Sequence, residues 1–448
     1  MEDEGAGTST SSGSDHHASE SPLERLRKKN DRNEREIRRL RKSVSFQIGF
    51  HLTNAVRQPW RIPLLPVTLP LNIIRLGLQR IGKKPNQASV GIELVHQPDR
   101  KNCIVLFPTN GVGFGHFTRM YAVARALRKA DSSLEIVFFT PMPTLHILYN
   151  DEFPTYHLAG RYKHTDMSAS QWNGLVEDML HLVFEIHQPK WFMFDGAFPY
   201  RGMLNAISAQ PHMEKWWMRR GSMKKAKAVP VDSFSFFDGF ITPGEETSTT
   251  QENEQIVPPI RAFELNEVWT REVARARLSV PEKARVVYVQ LGAGRINDIQ
   301  SQVQNVIDIL LASDDIFVVL GESMLGERID IGHERLRIIR DYPNSLYFKG
   351  FDASVQAGGY NSFHEMRAFG IPTLFIPNTK TGMDDQVLRC NRAQVEGWGV
   401  VFHEGLDDLG QMLTELLNLD VPPKLYQPNG AEDVVRLLGF MDSKNVQK

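Results

Sequence analysis

The sequence predicts an α/β protein made of two Rossmann-like halves, each opened by a buried strand that runs into a glycine-rich turn and then a helix. Three stretches carry this. Cys103-Ile-Val-Leu-Phe107 precedes Gly111, Gly113 and Gly115; Arg285-Val-Val-Tyr-Val-Gln-Leu291 precedes Gly292 and Gly294; and Asp352-Ala-Ser-Val-Gln356 precedes Gly358 and Gly359. Short, near-continuous apolar runs mark strands buried on both faces, as parallel sheets require. A glycine turn between such a strand and a helix lets a backbone approach a ligand closely and points free N–H groups at it.

The chain has 448 residues, enough for two or three domains at roughly 150 residues each. Its hydrophobic fraction of 41% and charged fraction of 23% are those of a soluble globular protein. A net charge of −1 gives no reason to invoke nucleic acid. The two cysteines, Cys103 and Cys390, have neither metal-ligand spacing nor the makings of a disulfide framework, which points to a reducing cytosol. The N-terminus is acidic and Ser/Gly-rich rather than a secretory signal. No apolar run approaches the roughly 20 residues that span a bilayer.

Taken in order, residues 1–21 lack large apolar side chains and read as a disordered tail. Residues 22–100 form a basic, amphipathic extension. Residues 23–42 are dense in Arg and Lys and read as an exposed helix. Val44 to Val56 fits both strand alternation and helical spacing. Pro59, Pro63, Pro66 and Pro70 should break any long helix. Leu71, Ile74, Leu78 and Ile81, with Arg75, Arg80, Lys83 and Lys84, then make a basic amphipathic helix. Residues 22–84 therefore have three candidate roles: a solvated or oligomerising surface, packing on the protein body, or contact with a membrane surface.

Residues 101–245 form the first α/β domain. A helix over 118–129 and a second strand over 135–139 complete its βαβ unit. The glycines read G-x-G-x-G-His rather than the dinucleotide fingerprint G-x-G-x-x-G, and no acidic residue ends the second strand. A nicotinamide-binding reading is therefore disfavoured. His116 directly follows Gly115, and Lys190-Trp-Phe-Met-Phe-Asp195 is a strand ending in an acid. A histidine, whose pKa lies near neutral pH, suits the role of general base, while Asp195 alone could equally be a helix N-cap before Pro199. Trp172 and Tyr162 read as loop residues; Trp216, Trp217, Arg219, Arg220, Lys224 and Lys225 could hold a phosphate-bearing acceptor or simply form a solvated loop. Residues 238–245 read as the last strand, and 246–262 as a linker.

Residues 263–420 form the second domain, with a helical stretch at 264–278, a turn Gly292-Ala-Gly-Arg295, a helix over 299–311, strands at 316–320 and 345–348, and a helix over 409–417. Arg295 can pair with a diphosphate. Residues 421–448 supply a C-terminal helix and tail. The densest chemistry lies in Ala357-Gly-Gly-Tyr-Asn-Ser-Phe-His-Glu365, followed by Gly370-Ile-Pro372 and Asp385-Gln386. Asn361 and Ser362 are helix-capping types, so the expected helix starts at Phe363, with Glu365 on its first turn. A strand, glycine turn and helix N-terminus make an anion site. A carboxylate there can accept from two ribose hydroxyls.

Those residues resemble the donor-binding signature of GT-B nucleotide-sugar glycosyltransferases. The likeness extends both to the plant-type box (His-Cys-Gly-Trp-Asn-Ser-x-x-Glu, then Gly-x-Pro, then Asp-Gln) and to the MurG-like peptidoglycan N-acetylglucosaminyltransferases, and it covers about residues 102–420. Gly359, Asn361, Ser362, Glu365, Gly370, Pro372, Asp385 and Gln386 match. Tyr360 takes the tryptophan place and Ala357 the place of the usual histidine. The resemblance implies two facing Rossmann-like domains with the site between them. It further implies that the turns at Gly113, Gly115, Gly292, Gly294, Arg295, Gly359 and Ser362 meet the diphosphate, that Glu365 holds the ribose, and that Asp385 and Gln386 hold the sugar. His116 would be the base and Asp195 its orienter.

The expected reaction is inverting transfer of a sugar from UDP-sugar, or another nucleotide sugar, to an acceptor hydroxyl. A lipid-linked or cell-envelope molecule is one candidate acceptor. No cofactor beyond the donor co-substrate is expected, and the absence of an Asp-x-Asp triplet argues against a dedicated metal site. The resemblance places the protein in the cytoplasm or peripherally on the inner face of the membrane. The rivals are a non-hydrolysing UDP-sugar epimerase of the same fold and a non-catalytic nucleotide-sugar-binding subunit.

Overall fold

The computed structural model describes residues 43–57, 59–80, 100–109, 113–161, 167–219, 231–244, 253–292, 299–324, 328, 331–379, 384–422 and 426–440. The expected tail of residues 1–21, the basic helix of 23–42, Tyr162, Arg220, Lys224, Lys225, Gly294 and Arg295 lie outside these described residues. The chain divides into two compact units, Met1–Glu93 and Leu94–Lys448.

In the first unit, α1 (Val44–Arg57), a 3-10 turn (Pro59–Leu64) and α2 (Leu65–Arg80) follow one another. The helical period, not the strand alternation, is the one realised in Val44 to Val56. Pro59 and Pro63 do separate the two helices, but the expectation that Pro66 and Pro70 also break a helix is corrected. Pro66 is the second residue of α2, where a missing N–H costs no bond, and Pro70 is tolerated inside the helix at the loss of one. The two helices bury Ala55 and Leu76 and are tied by a hydrogen bond of 3.0 Å between His51 Nε2 and Thr68 Oγ1.

The second unit opens with a seven-stranded sheet. Its elements are β1 (Lys101–Pro108), α3 (Gly115–Ala130), β2 (Glu135–Thr140), α4 (His146–Asn150), β3 (Thr155–His157), α5 (Ala169–His187), β4 (Pro189–Asp195), α6 (Arg201–Ser208), β5 (Glu214–Met218), β6 (Gly239–Pro243) and β7 (Glu254–Val257). The strand order is β3-β2-β1-β4-β5-β6-β7, and every neighbouring pair is parallel. The second half comprises α7 (Arg271–Arg277), β8 (Arg285–Gln290), α8 (Ile299–Leu311), β9 (Ile316–Gly321), β10 (Leu336–Ile339), β11 (Ala353–Gln356), α9 (Tyr360–Phe369), β12 (Thr373–Phe375), α10 (Gln386–Val395), β13 (Gly399–Val401), α11 (Leu409–Leu417) and α12 (Gly430–Leu437). Its six strands run β10-β9-β8-β11-β12-β13, again all parallel.

Each sheet is covered on both faces, as its apolar strands demand. Ile104 and Leu106 of β1 pack with Phe117, Met120 and Val123 of α3. Cys103, Val105 and Phe107 pack on the other face with Val183 and Phe184 of α5. The C-terminal helix returns to the first half, because Ala431, Val434 and Val435 of α12 join the α3 cluster.

The strand order turns back between β1 and β4 in one sheet and between β8 and β11 in the other. Such switch points open a crevice at the carboxyl ends of their strands, where α/β proteins bind ligands. Both chemistry-bearing stretches of the sequence lie at these two places.

Several expectations are corrected here. Glu254–Val257, placed in the linker, is the seventh strand of the first sheet, so the strand at Gly239–Pro243 is not the last. Residues 345–348 lie in a 3-10 helix, Asn344–Gly350, because the neighbour of β9 is instead Leu336–Ile339. The helical stretch of 264–278 is helical only over Arg271–Arg277. Trp172 is no loop residue: it sits buried in α5 and donates from Nε1 to the Ala159 carbonyl at 2.9 Å.

Candidate active site

At the first switch point β1 and β4 end side by side, with Pro108 in register with Asp195. Asp195 is fully buried, and His116 nearly so. His116 is the second residue of α3 rather than a loop residue, and its Nδ1 lies 2.6 Å from Asp195 Oδ1. A carboxylate can only accept, so Nδ1 is assigned the proton, which leaves Nε2 with the lone pair of a base. The rival role of Asp195 as a helix cap is ruled out by position: the next helix, α6, has Tyr200 at its N-cap.

The sequence reading missed Arg119, one turn beyond His116. It is fully buried and grips the same carboxylate as a fork, Nε to Oδ2 at 2.9 Å and Nη2 to Oδ1 at 2.7 Å. Its spacing three residues after a suspected catalytic histidine on a helix was the available signal, since such residues share a face. Burial pushes the Asp195 carboxyl up, but the charges and hydrogen bonds of Arg119 and His116 outweigh it and the net shift is downward. Asp195 is thereby held as a carboxylate.

Arg119 also reaches the second half. Its guanidinium carbon lies 4.8 Å from the centroid of the Tyr360 ring, a cation–π distance, and Tyr360 is the first residue of α9. Tyr342 adds a second bridge, with its hydroxyl 3.1 Å from Thr118 Oγ1 and its ring stacked on Phe114 at 5.2 Å. The dyad and the donor signature thus approach one another across the two sheets.

At the second switch point, Gly292 follows β8 with φ +104° and Gly358 follows β11 with φ +77°. A Cβ at Gly358 would stand 2.3 Å from Cys390 Sγ. Gly359 is the N-cap of α9, and no side chain caps it, which is the local geometry of a helix N-terminus that can receive an anion. The helix starts earlier than expected. Asn361 and Ser362 lie in its first turn rather than before it, and Glu365 falls on the second turn, because glycine already supplies the extended N-cap backbone.

Burial pushes the partly buried Glu365 up to about 7, against the opposing charge of Arg261. Nearby polar groups lack partners: the Asn361 Oδ1, both amide atoms of Gln356, and both ring nitrogens of His364 are buried without a hydrogen bond. Gln356, the last residue of β11 and fully buried, was not singled out in the sequence, where it reads as an ordinary strand residue. Unpaired buried polar atoms at a helix N-terminus and strand end are what a polar ligand would satisfy. His364 is held well below its ordinary value, first by burial and then by Arg389, Arg392, Arg367 and Arg261, and so is neutral.

The remaining predicted residues stand differently. Asp385 Oδ1 caps α10 by accepting from Leu388 N at 3.1 Å. Gln386 Oε1 accepts from Asn378 N at 2.9 Å, and Asp384 pairs with Arg389 at 2.7 Å. Asp385 and Gln386 therefore help hold the loop. Gly113 opens onto space with nothing near its missing Cβ, while Gly115 begins α3. The aromatic and basic cluster at 216–219 is largely structural, since Trp217 is core and Arg219 is buried against Glu254 at 3.2 Å. Among the described residues, the side chains close enough to share an ion are Cys103, Glu135 and His187. They lie at the other end of β1 and β2 from the dyad, and His187 is engaged by Glu135 and Tyr156.

This geometry can be set beside known proteins. No family model matches the chain. Over 182 residues it is 28% identical to the UDP-N-acetylglucosamine–N-acetylmuramyl-(pentapeptide) pyrophosphoryl-undecaprenol N-acetylglucosamine transferase of Salinibacter ruber, covering 37% of this chain and 49% of that protein. The match thus spans about half the length of that relative. Among solved structures, the glycotransferase of kitacinnamycin superposes with a TM-score of 0.52 at 13% identity over 76% of this chain and 99% of its own. A UDP-GlcNAc 2-epimerase from Methanocaldococcus jannaschii gives 0.53 at 12% identity, over 76% and 100%.

The chain has the GT-B fold. Glycosyltransferases and UDP-GlcNAc 2-epimerases both figure among the proteins that share its architecture. In GT-B terms, the dyad belongs to the N-terminal Rossmann-like domain and the Gly292 and Gly359 turns to the C-terminal one.

Proposed function

We propose that the protein is an inverting glycosyltransferase that moves a sugar from a nucleotide diphosphate, UDP foremost, to an acceptor hydroxyl. The observation that carries this is the buried His116–Asp195 pair of 2.6 Å, set at one switch point opposite an uncapped helix N-terminus at the other. His116 Nε2 takes the proton of the acceptor hydroxyl. The resulting oxygen attacks the anomeric carbon as its bond to the diphosphate breaks, and Asp195 stabilises the imidazolium. The first N–H groups of α9 and the Gly292 turn receive the charge of the departing diphosphate, and Glu365 accepts from the ribose hydroxyls. Ala357 stands eight residues before Glu365, where retaining members of this fold carry a glutamate, and this supports inversion.

The reading needs no metal and no cofactor besides the donor. A lipid-linked acceptor is supported by the named substrate of the Salinibacter relative, and such an acceptor is in keeping with a cytoplasmic protein working at or near the membrane. The test is a panel of UDP- and TDP-sugars, with release of free nucleoside diphosphate and the sugar configuration followed together. Release supports the transferase, water being a usual substitute acceptor. Interconversion of the sugar with no acceptor product favours the epimerase, and binding with neither favours the non-catalytic subunit.

A further inference from the structure

The helical unit before the catalytic body has features of its own. Of the twenty-two large apolar side chains that the described residues expose, eleven lie between Val44 and Ile74, although this segment is a small part of the chain. Trp60 in the 3-10 turn is 69% exposed and Val56 at the end of α1 is 72% exposed. On α2, Val67, Leu71 and Ile74 recur at helical spacing and are 63%, 60% and 58% exposed. Exposed apolar side chains this dense, three of them on one helix face, are uncommon on a soluble protein unless something covers them.

Charge indicates what covers it. From Ile37 to Ile92 the sequence contains no Asp or Glu at all, but ten Lys and Arg: Arg38, Arg39, Arg41, Lys42, Arg57, Arg61, Arg75, Arg80, Lys83 and Lys84. In a chain of net charge −1 this is a local concentration. An exposed apolar face carrying a tryptophan, flanked by cations and free of anions, matches the boundary between acyl chains and anionic headgroups. A protein partner would have to be both apolar and strongly acidic. A second copy would bring the same ten cations together without counter-charge. No described helix is long and apolar enough to cross a membrane, so contact would be with the surface.

We propose that residues 43–80 form a surface anchor that lays its apolar face into an anionic lipid bilayer, with the surrounding Lys and Arg meeting the headgroups. This is independent of the transferase reading, since it requires neither donor nor acceptor.

The test uses the full-length protein, sedimented with vesicles of phosphatidylcholine alone and of phosphatidylcholine with phosphatidylglycerol. Wild type is expected to sediment with the anionic vesicles, less so at high salt, and to stay mostly in solution with the neutral ones. The triple variant Val67→Ser, Leu71→Ser, Ile74→Ser should partition about tenfold less or worse. Trp60→Ser, which leaves both helices intact, should show a smaller loss in the same direction. Both should release nucleoside diphosphate from the donor as wild type does, so failure of the anchor is read separately from failure of the transferase. Wild type left in the supernatant with anionic vesicles would overturn the proposal, as would a triple variant that binds them equally. A lipid-free oligomer that the triple variant dissociates, with no vesicle binding by either, would reassign the face to a second copy of the chain.

Discussion

Replacing Arg119 with Met keeps much of its bulk and removes its charge. In the wild type the fork from Arg119 to Asp195, at 2.7 and 2.9 Å, lies where neither side chain meets solvent. Taking one partner from a buried ion pair leaves an uncompensated charge and costs about 3–5 kcal/mol. Against a total stability of about 5–15 kcal/mol, that is a large fraction, readable by urea unfolding as a fall in midpoint. The functional effect has a definite sign. Arg119 is the leading influence that lowers Asp195. Without it, the carboxylate faces His116 alone, and the pair gains stability by protonating the imidazole. A histidine whose proton affinity rises is a base only at higher pH, so the acidic limb of the activity profile should move to higher pH while activity persists above it. A variant with less than about 1 kcal/mol of destabilisation and an unmoved limb would refute the argument that Arg119 sets the charge state of the dyad.

Other outcomes follow from the same geometry. Asp195→Asn should lower turnover by about 10²–10⁴-fold, because an amide can donate to Nδ1 and favour the wrong tautomer; steady-state kinetics at fixed donor reads it. Glu365, pushed up to about 7, binds ribose hydroxyls best when ionised, so donor affinity by calorimetry should weaken as pH falls through 7 towards 6, and Glu365→Gln should bind more weakly with that dependence gone. The same raised value means the group favours the folded state at low pH and loses that contribution as pH rises from the ordinary carboxylate range through about 7. Gly358→Val should destabilise by about 2–4 kcal/mol, since φ is +77° and the new Cβ would meet Cys390 Sγ at 2.3 Å; a thermal melt measures it.

The paired glycine turns and their strands were legible because parallel strands buried on both faces leave an unbroken apolar run, as in Cys103–Phe107 and Arg285–Leu291. His116 and Asp195 were legible through the family resemblance, and the structure shows why the pairing holds: β1 and β4 end side by side, which brings the residues past their carboxyl ends together. What was missed depended on partners distant in the chain. Glu254–Val257 is polar and short, and is a strand only because β6 offers it an edge. Residues 345–348 look like a strand but yield to Leu336–Ile339, which wins the place beside β9. Gln356 carries no local mark and Arg119 only its spacing from His116, since their significance is their burial at the end of β11 and against Asp195. Helix starts shifted too. Gly359 takes the N-cap of α9, ahead of the capping types Asn361 and Ser362.

The central claim is that His116 takes the proton from the attacking oxygen while a nucleoside diphosphate leaves from the turns at Gly292 and Gly359. The measurement that meets it most directly is release of nucleoside diphosphate from a panel of nucleotide sugars by wild type and by His116→Ala, with donor binding recorded for both. The account predicts that both proteins bind the same donor with similar affinity and that release falls by about 10²-fold or more in the variant. Release at an equal rate from both would remove His116 from the mechanism, and a wild type that binds no nucleotide sugar would contradict the account as a whole.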